Sequence, residues 1–436
     1  MTKWLAGAAC KDITPSEVVL QRGVWIAGFG PNRRAVGIHD PITVRALVLE
    51  KDERCIALLV GDLVGFLYND VLEVRRRCRQ LLPQIELLWV ISTHNHEGPD
   101  TIGIWGPNLT TSGVDAEWLE EVRTNMVACV EEAYRSRRPA SLHLGRTMAP
   151  GVCRDLREPW YLDEEMIVLE AIDEDGNSIA SLVNYSNHPE SLGDENPYVS
   201  ADYPHWLRKR VEQERGGICI YTTGALGGMT APRPPSFVLD PDGRIPVRNG
   251  PAQVEEGFEA TAKMGEYLGE RALVALRKAR QESDSGSLWW ESQLLQLPVD
   301  NANFSLFLRN GILPSGGRFC MIEGQQTAKT EVGVLQIGRL SLASVPGELF
   351  PEMGTMIKDA LPGEYSAILG LANDELGYFV PEVNPFTGLR DYCPPTPTGE
   401  RGKRGHYEET MCVHRTAARR IVDTICQLAV RIGNAQ

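Results

Sequence analysis

The sequence predicts an α/β fold, and three observations predict it. Strand-length runs of β-branched and aliphatic residues recur along the chain. Stretches with three- and four-residue apolar spacing lie between them, and 436 residues, 42% of them hydrophobic, suffice to bury a sizeable core.

In chain order, TVRALVLE (43–50), CIALLVGDLVGF (55–66) and ELLWVIST (86–93) read as strands because they combine strand length with apolar, β-branched composition. NDVLEVRRRCRQLL (69–82), capped by Asn69 or Asp70, and DAEWLEEVRTNMVACVEEAYRS (115–136), starting at Asp115, read as helices. Strands resume at MIVLEAID (166–173), SIASLVNYSNH (178–188) and ICIYTTG (218–224). A helix around 252–281 then runs into RKARQESDSGS, a charged and Ser-rich surface connection. LWWESQLLQLPV (288–299), VGVLQIGRLSLASVPG (332–347) and YSAILGLAN (365–373) are the last strands, and an amphipathic helix covers about 410–432. The polar stretch PPTPTGERGKRG (394–405) reads as a lid or loop. There is no internal repeat.

Charge and cysteine usage narrow the function. Forty-four Lys and Arg against 58 Asp and Glu give a net charge of −14, which repels phosphate backbones and anionic membranes, so nucleic acid is not an expected partner. Ten scattered cysteines, without a CxxC pair, read as reduced core thiols. The opening MTKWLAGAACKDITP has no basic segment leading into an apolar one, and no stretch reaches the ~18 apolar residues of a membrane span. The expectation is a cytoplasmic protein with no transmembrane segment.

The chemistry starts at VISTHNHEGPD (90–100), which places two of the chain's eight histidines at a strand end. Side chains alternate along a strand, so His94 and His96 share a side and can reach one site. The same pair also reads as satisfied polar groups closing a strand. An HxHxDH hydrolase pattern does not fit, because HNHEGPD lacks the Asp and the third His. An amidohydrolase barrel begins with its HxH, whereas here some 85 residues of strands and helices precede it; His188 and His205 keep that fold open as an alternative.

A longer pattern fits more of the chain. AGAACKDITP, GFG, GIHDPITVRALVLE, LLVGDLVG, VISTHNHEGPD, NYSNHPES, VSADYPHWLRKRVE, GALGGMTAP, SVPGEL and GLANDELGYFVP follow one another from about residue 5 to residue 409. This series resembles the blocks of the neutral, non-lysosomal ceramidase family. The resemblance implies stacked mixed β-sheets flanked by helices, as in the ceramidase catalytic domain. It implies a single zinc hydrolase domain over 1–436, without the family's C-terminal immunoglobulin-like domain.

The resemblance also implies a site. His94, His188, Glu348 and Tyr378 match the family's zinc ligands, all N or O donors that zinc accepts. His96 matches the imidazole that contacts the reacting amide, and Arg154 and Tyr407 match donors to the tetrahedral oxyanion. Read alone, His188 before Pro189 also suits a strand end, Glu348 a helix N-terminal acid, Arg154 a surface ion pair and Tyr378 the core. A zinc-bound water would attack the carbonyl of an N-acyl amide.

Two departures bear on the substrate. In ALGGMTAPR, Gly228 stands where the family has Asp, Thr230 where it has the catalytic Ser, and Ala231 displaces the Pro. Thr230 keeps a hydroxyl, but its β-branching restricts χ1. The segment between Tyr378 and Tyr407 is longer than the family's, and it shapes the mouth of the site or contacts a neighbouring subunit of a homo-oligomer. Trp105 in IWGPNL (104–109) would stand near the mouth as a platform for a sugar or acyl chain, or anchor the loop. The expected substrate is therefore a small or carbohydrate-derived N-acyl amide rather than bulk ceramide. Hydrolysis of an ester, lactone or glycosidic bond, and a non-catalytic binding protein, remain alternatives.

Overall fold

The computed structural model describes residues 3–155, 157, 161–228, 230–232, 251–283, 286–313, 318–388, 392 and 407–434, with 230 and 251–256 described by their backbone alone. Of the long segment between Tyr378 and Tyr407, 389–391 and 393–406 therefore lie outside the described residues, as does the side chain of Thr230.

Two mixed sheets stack face to face. The first contains β1 (Trp4–Asp12), β2 (Thr43–Lys51), β3 (Arg54–Gly61), β4 (Ile85–Ser92), β5 (Arg138–Met148), β6 (Glu165–Asp173), β7 (Ser178–Tyr185) and β8 (Ile218–Thr223), in the order β8-β7-β6-β5-β1-β2-β3-β4. β3/β4 and β7/β8 are parallel and the other pairs on this path antiparallel. The second runs β9 (Leu288–Pro298), β10 (Gln325–Ile337), β11 (Leu340–Ser344) and β12 (Tyr365–Leu369), with β11/β12 parallel.

Strand alternation assigns each side chain to a layer. In β2, Val44, Ala46 and Val48 face a core shared with α1 (Tyr68–Leu81) and α2 (Ala116–Arg135), while Leu47 and Leu49 join Leu335 of β10 and Leu342 of β11 between the sheets. Both faces are covered, so the strands read as continuous apolar runs. Helices α3 (Tyr203–Arg215) and α4 (Pro251–Arg277) pack on the β6–β8 half. Helices α5 (Ala302–Arg309), α6 (Pro351–Ala360) and α7 (Ala417–Asn434) cover the outer face of the second sheet. The layers therefore run helix, sheet, sheet, helix, which is the stacked, helix-flanked α/β arrangement expected.

The first sheet curls, bringing β8 at one edge close to β2, β3 and β4. Buried polar bonds hold the curl. Arg208 of α3 donates to both carboxylate oxygens of Asp62, just past β3, at 2.6 and 2.9 Å. Arg45 of β2 donates to the Cys219 carbonyl at 2.7 Å. Asn184 of β7 donates to the Ile368 carbonyl of β12 at 2.8 Å, tying the two sheets together. In this way the ends of β4 and β7, far apart in hydrogen-bonded order, come to face one another.

Several boundaries differ from the sequence reading. Helix α1 begins before Asn69, and its first N–H, that of Tyr68, is accepted by the distant Asp374 Oδ1 at 3.0 Å, a cap no local pattern encodes. Helix α2 is capped by Asp115 as expected, the carboxylate accepting from Trp118 N at 3.0 Å. The run 332–347 is broken at Gly338, whose φ of +56° turns β10 into β11. The connection 277–287 contains a two-residue strand, Arg280–Gln281, paired with β5, and Glu282, buried as the partner of Arg339. The last long helix starts at Ala417, after a separate short helix, Tyr407–Thr410. Among the described residues no helix is long and apolar enough to cross a membrane.

Candidate metal centre

Every principal side chain of the site lies just beyond the C-terminal end of a strand. His94 follows β4, His188 follows β7, Glu348 follows β11, and Tyr378 opens a two-residue strand after β12. Glu348 and Tyr378 are register partners in a short parallel ladder, Glu348–Leu349 with Tyr378–Phe379, so one hydrogen-bonded unit delivers both.

The HxH pair shares a site, but not by strand alternation. β4 ends at Ser92, and His94 sits in the left-handed region with φ +66°, a strained conformation for a non-glycine residue. It is held there by its Nδ1, which lies 2.7 Å from the Val64 carbonyl. That bond requires the Nδ1–H tautomer and leaves the Nε2 lone pair facing inward. Asn95 anchors the turn by donating to the Ser200 carbonyl at 2.8 Å, and the His96 N–H donates to the Pro189 carbonyl at 2.9 Å. The His94 and His188 loops are thus bonded directly to each other. On the His188 side, Tyr203 hydroxyl donates to the Asn187 carbonyl at 2.9 Å.

At the centre, Glu348 Oε2 lies 3.0 Å from His188 Nε2 and 3.5 Å from His94 Nε2, all three side chains being buried. Donors around a tetrahedral ion at 2.0–2.1 Å stand roughly 3.3 Å apart, so these separations suit one cation. His94, His96 and His188 form a buried group whose ligand atoms all lie within 4.8 Å of one another. Both ring nitrogens of His96 are buried and have no hydrogen-bond partner among the described residues. An orphaned imidazole nitrogen next to two others and a carboxylate is a donor set that zinc accepts, so the residues present fit a metal ion.

The electrostatics are consistent with this grouping. Burial raises the Glu348 carboxyl, but the His94 and His188 imidazoles outweigh it and hold the carboxylate below its ordinary range. Burial lowers His94, yet Glu348 turns the net shift upward. His96 is pushed down to about 4, mainly by burial, with Glu190 opposing. Tyr378 is held well above a normal phenol by burial and then by Glu348.

A cavity opens on this cluster. Its polar floor is His94, His96, Glu348, Glu375, Tyr378 and Tyr407; the remaining wall includes Ile102, Ile104, Trp105, Phe304, Phe307, Leu313 and Met411. Trp105 both lines the cavity and anchors its loop, donating Nε1–H to the Phe29 carbonyl at 2.6 Å. Tyr407 meets Tyr378 edge-on with ring centroids 5.9 Å apart.

The remaining expected residues are not seen to join this group among the described side chains. Arg154 is exposed on a short strand, Cys153–Asp155, and is not among the described residues lining the cavity. The buried arginine nearby is Arg157, which donates to both Glu409 oxygens at 3.1 and 2.8 Å and braces the Tyr407–Thr410 helix. Thr230 lies on a strand pairing with Asp155, its side chain outside the described residues. Gly228, standing where the resemblance expects Asp, has φ +76°, a conformation that any side chain would strain. His205 lies outside the group, 3.7 Å from Asp40.

Three residues of the site escaped the sequence reading. Glu190 Oε2 lies 3.1 Å from His96 Nδ1. Glu375 has one oxygen accepting from Gly377 N at 2.7 Å and the other without a hydrogen-bond partner. Gly28, with φ +102°, has its Cα against the His96 ring, where an added Cβ would lie 2.3–2.7 Å from ring and Cβ atoms. The signals were present in NHPES, NDELGY and GFG, but only the folded loops show that these residues turn toward the histidines.

Fold and site together define a four-layer α/β protein with a buried group of histidines that could hold a metal ion at the floor of an apolar cavity. That fold is the neutral ceramidase fold. The solved structure of neutral ceramidase from Pseudomonas aeruginosa superposes with a TM-score of 0.76 at 16% identity, covering 100% of this chain and 75% of that one. A solved ceramidase complexed with C2 gives 0.76 at 15% identity, covering 100% of this chain and 76% of that one. No protein-family model matches the sequence, and no curated protein does.

Proposed function

We propose that this chain is a zinc-dependent hydrolase of the amide bond in an N-acyl substrate. The observation that carries this reading is the convergence of His94, His188 and Glu348 at the floor of the apolar cavity. The ceramidase fold supports the amide as the bond cleaved. Bound zinc would supply a Lewis acid for the carbonyl and lower the pKa of a coordinated water from 15.7 toward ~7.

The chain's own groups divide the remaining work. His94, His188, Glu348 and Tyr378 hold the metal in this reading, with the Val64 carbonyl fixing the His94 tautomer. Tyr407 donates its hydroxyl to the carbonyl oxygen as negative charge develops there. Thr230 supplies the hydroxyl that the family takes from Ser. Arg154, exposed on its strand, has no part. The apolar wall holds an acyl chain and excludes water from the floor.

This wall also decides between substrates. A sugar needs donors and acceptors along its length, whereas among the described residues the polar ones are gathered around the histidine cluster. The acyl group is therefore what the cavity selects. The nine described cysteines are all unpaired, which supports a reducing, cytoplasmic compartment.

The test is to assay purified full-length chain, before and after chelation and zinc restoration, on matched amides, esters, lactones and glycosides of graded acyl length. Zinc-dependent cleavage confined to N-acyl amides is expected. A zinc-loaded chain that cleaves esters or glycosides but no amide, or cleaves nothing, overturns the proposal.

A further inference from the structure

The two adjacent acids of NDELGY take different places in the fold. Asp374 is turned into the protein, where its carboxylate pairs with the buried Arg318 at 2.6 Å and accepts from the Tyr68 N–H at 3.0 Å and the Thr330 hydroxyl at 2.8 Å. Glu375 lines the cavity, together with Glu348, Tyr378 and Tyr407. One of its carboxyl oxygens accepts from the Gly377 N–H at 2.7 Å. The other, Oε2, is buried and has no hydrogen-bond partner among the described residues.

The residue is held in this position. Its N–H donates to Asp374 Oδ1 at 2.8 Å, and its carbonyl accepts from Arg318 Nη2 at 2.9 Å. Its Cβ and Cγ lie so close over Gly65 that a Cβ added there would be 2.7 Å from each. Oε2 is therefore a fixed acceptor rather than the end of a swinging surface side chain.

A buried carboxyl oxygen without a partner is unfavourable, so the question is what satisfies it. The protein does not supply a cation. Arg318 pairs with Asp374 and gives Glu375 a bond only at its backbone, and the described residues lining the cavity include no Lys or Arg. Burial, and then the charge of Glu348, hold the Glu375 carboxyl well above its ordinary range, against the Gly377 N–H and Arg318. Zinc, in the reading above, answers the charge of Glu348 and leaves that of Glu375. A neutral donor would complete the hydrogen bonding of Oε2, whereas an ammonium would complete it and balance the charge as well.

We propose that the amine half of the substrate carries a second, positively charged nitrogen, and that this ammonium binds the free oxygen of Glu375. The proposal rests on the amide-hydrolase reading, which gives the apolar wall to the acyl chain and so leaves the polar residues to the amine half. The substrate class is then a monoacylated diamine. Water cleaves its C–N bond, releasing a carboxylic acid and the free diamine.

Three octanoyl amides of matched length, made from n-butylamine, aminopropanol and diaminopropane, present a plain, a hydroxyl and an ammonium terminus. With the zinc-loaded full chain, kcat/KM for the ammonium substrate should exceed that of the other two by on the order of 10- to 100-fold, chiefly through KM. In Glu375→Gln, whose side-chain oxygen can still accept from Gly377, this preference should fall to about one. Circular dichroism checks the fold, and Glu375→Met replaces the variant if it is not folded. A parent without preference for the ammonium, or a preference undiminished in a folded Glu375 variant, overturns the proposal and leaves the amide-hydrolase reading standing. If none of the three amides is cleaved, that reading fails by itself, and calorimetry with hexylammonium and hexanol tests the Glu375 site separately. Binding of hexylammonium alone, and to the parent but not to Glu375→Gln, upholds the site; any other result overturns it too.

Discussion

Glu348 Oε2 lies 3.0 Å from His188 Nε2, and the same oxygen is 3.5 Å from His94 Nε2. One carboxylate oxygen thus serves two imidazoles from the loops after β4 and β7, strands far apart in the order of a curled sheet. Its negative charge, held below the usual carboxylate range by those imidazoles, makes the centre attractive to a cation.

Glu348→Gln keeps the shape and removes the charge. The variant is expected to fold, to lose about 1–3 kcal/mol of stability through weakened buried bonds, and to lose most of the zinc-induced rise in Tm. Thermal unfolding of chelated protein with and without added zinc reads both effects. An undiminished rise in Tm would remove Glu348 from the ligand set.

Gly28→Ala tests how tightly the His96 ring is held. The new Cβ would lie 2.3–2.7 Å from His96 side-chain atoms, and φ +102° is unfavourable for alanine. Strain of this kind costs of order 1–3 kcal/mol, so the unfolding midpoint in urea should fall. A variant with parental stability would show that the ring is free to move aside.

Phe307→Ala tests the acyl wall. Phe307 is buried in α5 and lines the cavity, so truncation lengthens the space available to a chain. Stability should drop by about 3 kcal/mol. The optimum in kcat/KM should move to longer acyl groups, each newly buried CH₂ contributing about 0.8 kcal/mol, roughly fourfold. An unchanged chain-length profile would place the acyl group elsewhere.

Much of the layered fold was legible because both sheets are covered on both faces, and buried strands such as β2 and β3 advertise themselves as unbroken apolar runs. What escaped were features with no local signal. The cap of α1 comes from Asp374, far along the chain, and Glu282 looked like part of a charged linker until Arg339 was brought to it. At the site, a motif lifted Glu348 and Tyr378 out of the apolar background, and the structure explains the pair by their ladder register. Glu190 and Arg157 had no such help. A buried ion pair is written in two distant residues at once, and either half alone reads as a surface charge.

The Tyr407–Thr410 helix carries a pH dependence of its own. Burial pushes the Glu408 carboxyl up to about 7 from an ordinary 4.5, with Arg157, 3.6 Å away, only partly offsetting it. Its Oε1 is buried without a hydrogen-bond partner, which is why the charged form is disfavoured. Between about pH 4.5 and 7 the folded chain therefore binds more protons at this position than the unfolded chain, so stability falls as pH rises through that window. Glu408→Gln imitates the protonated carboxyl at every pH. It should match the parent near pH 4 and exceed it above pH 7 by up to about 3 kcal/mol, at 1.36 kcal/mol per pKa unit. Urea unfolding at pH 4.5, 6 and 8 measures the gap. If the two proteins lose stability in parallel across that range, Glu408 is already ionised in the folded chain, and Arg157 rather than burial governs this corner of the site.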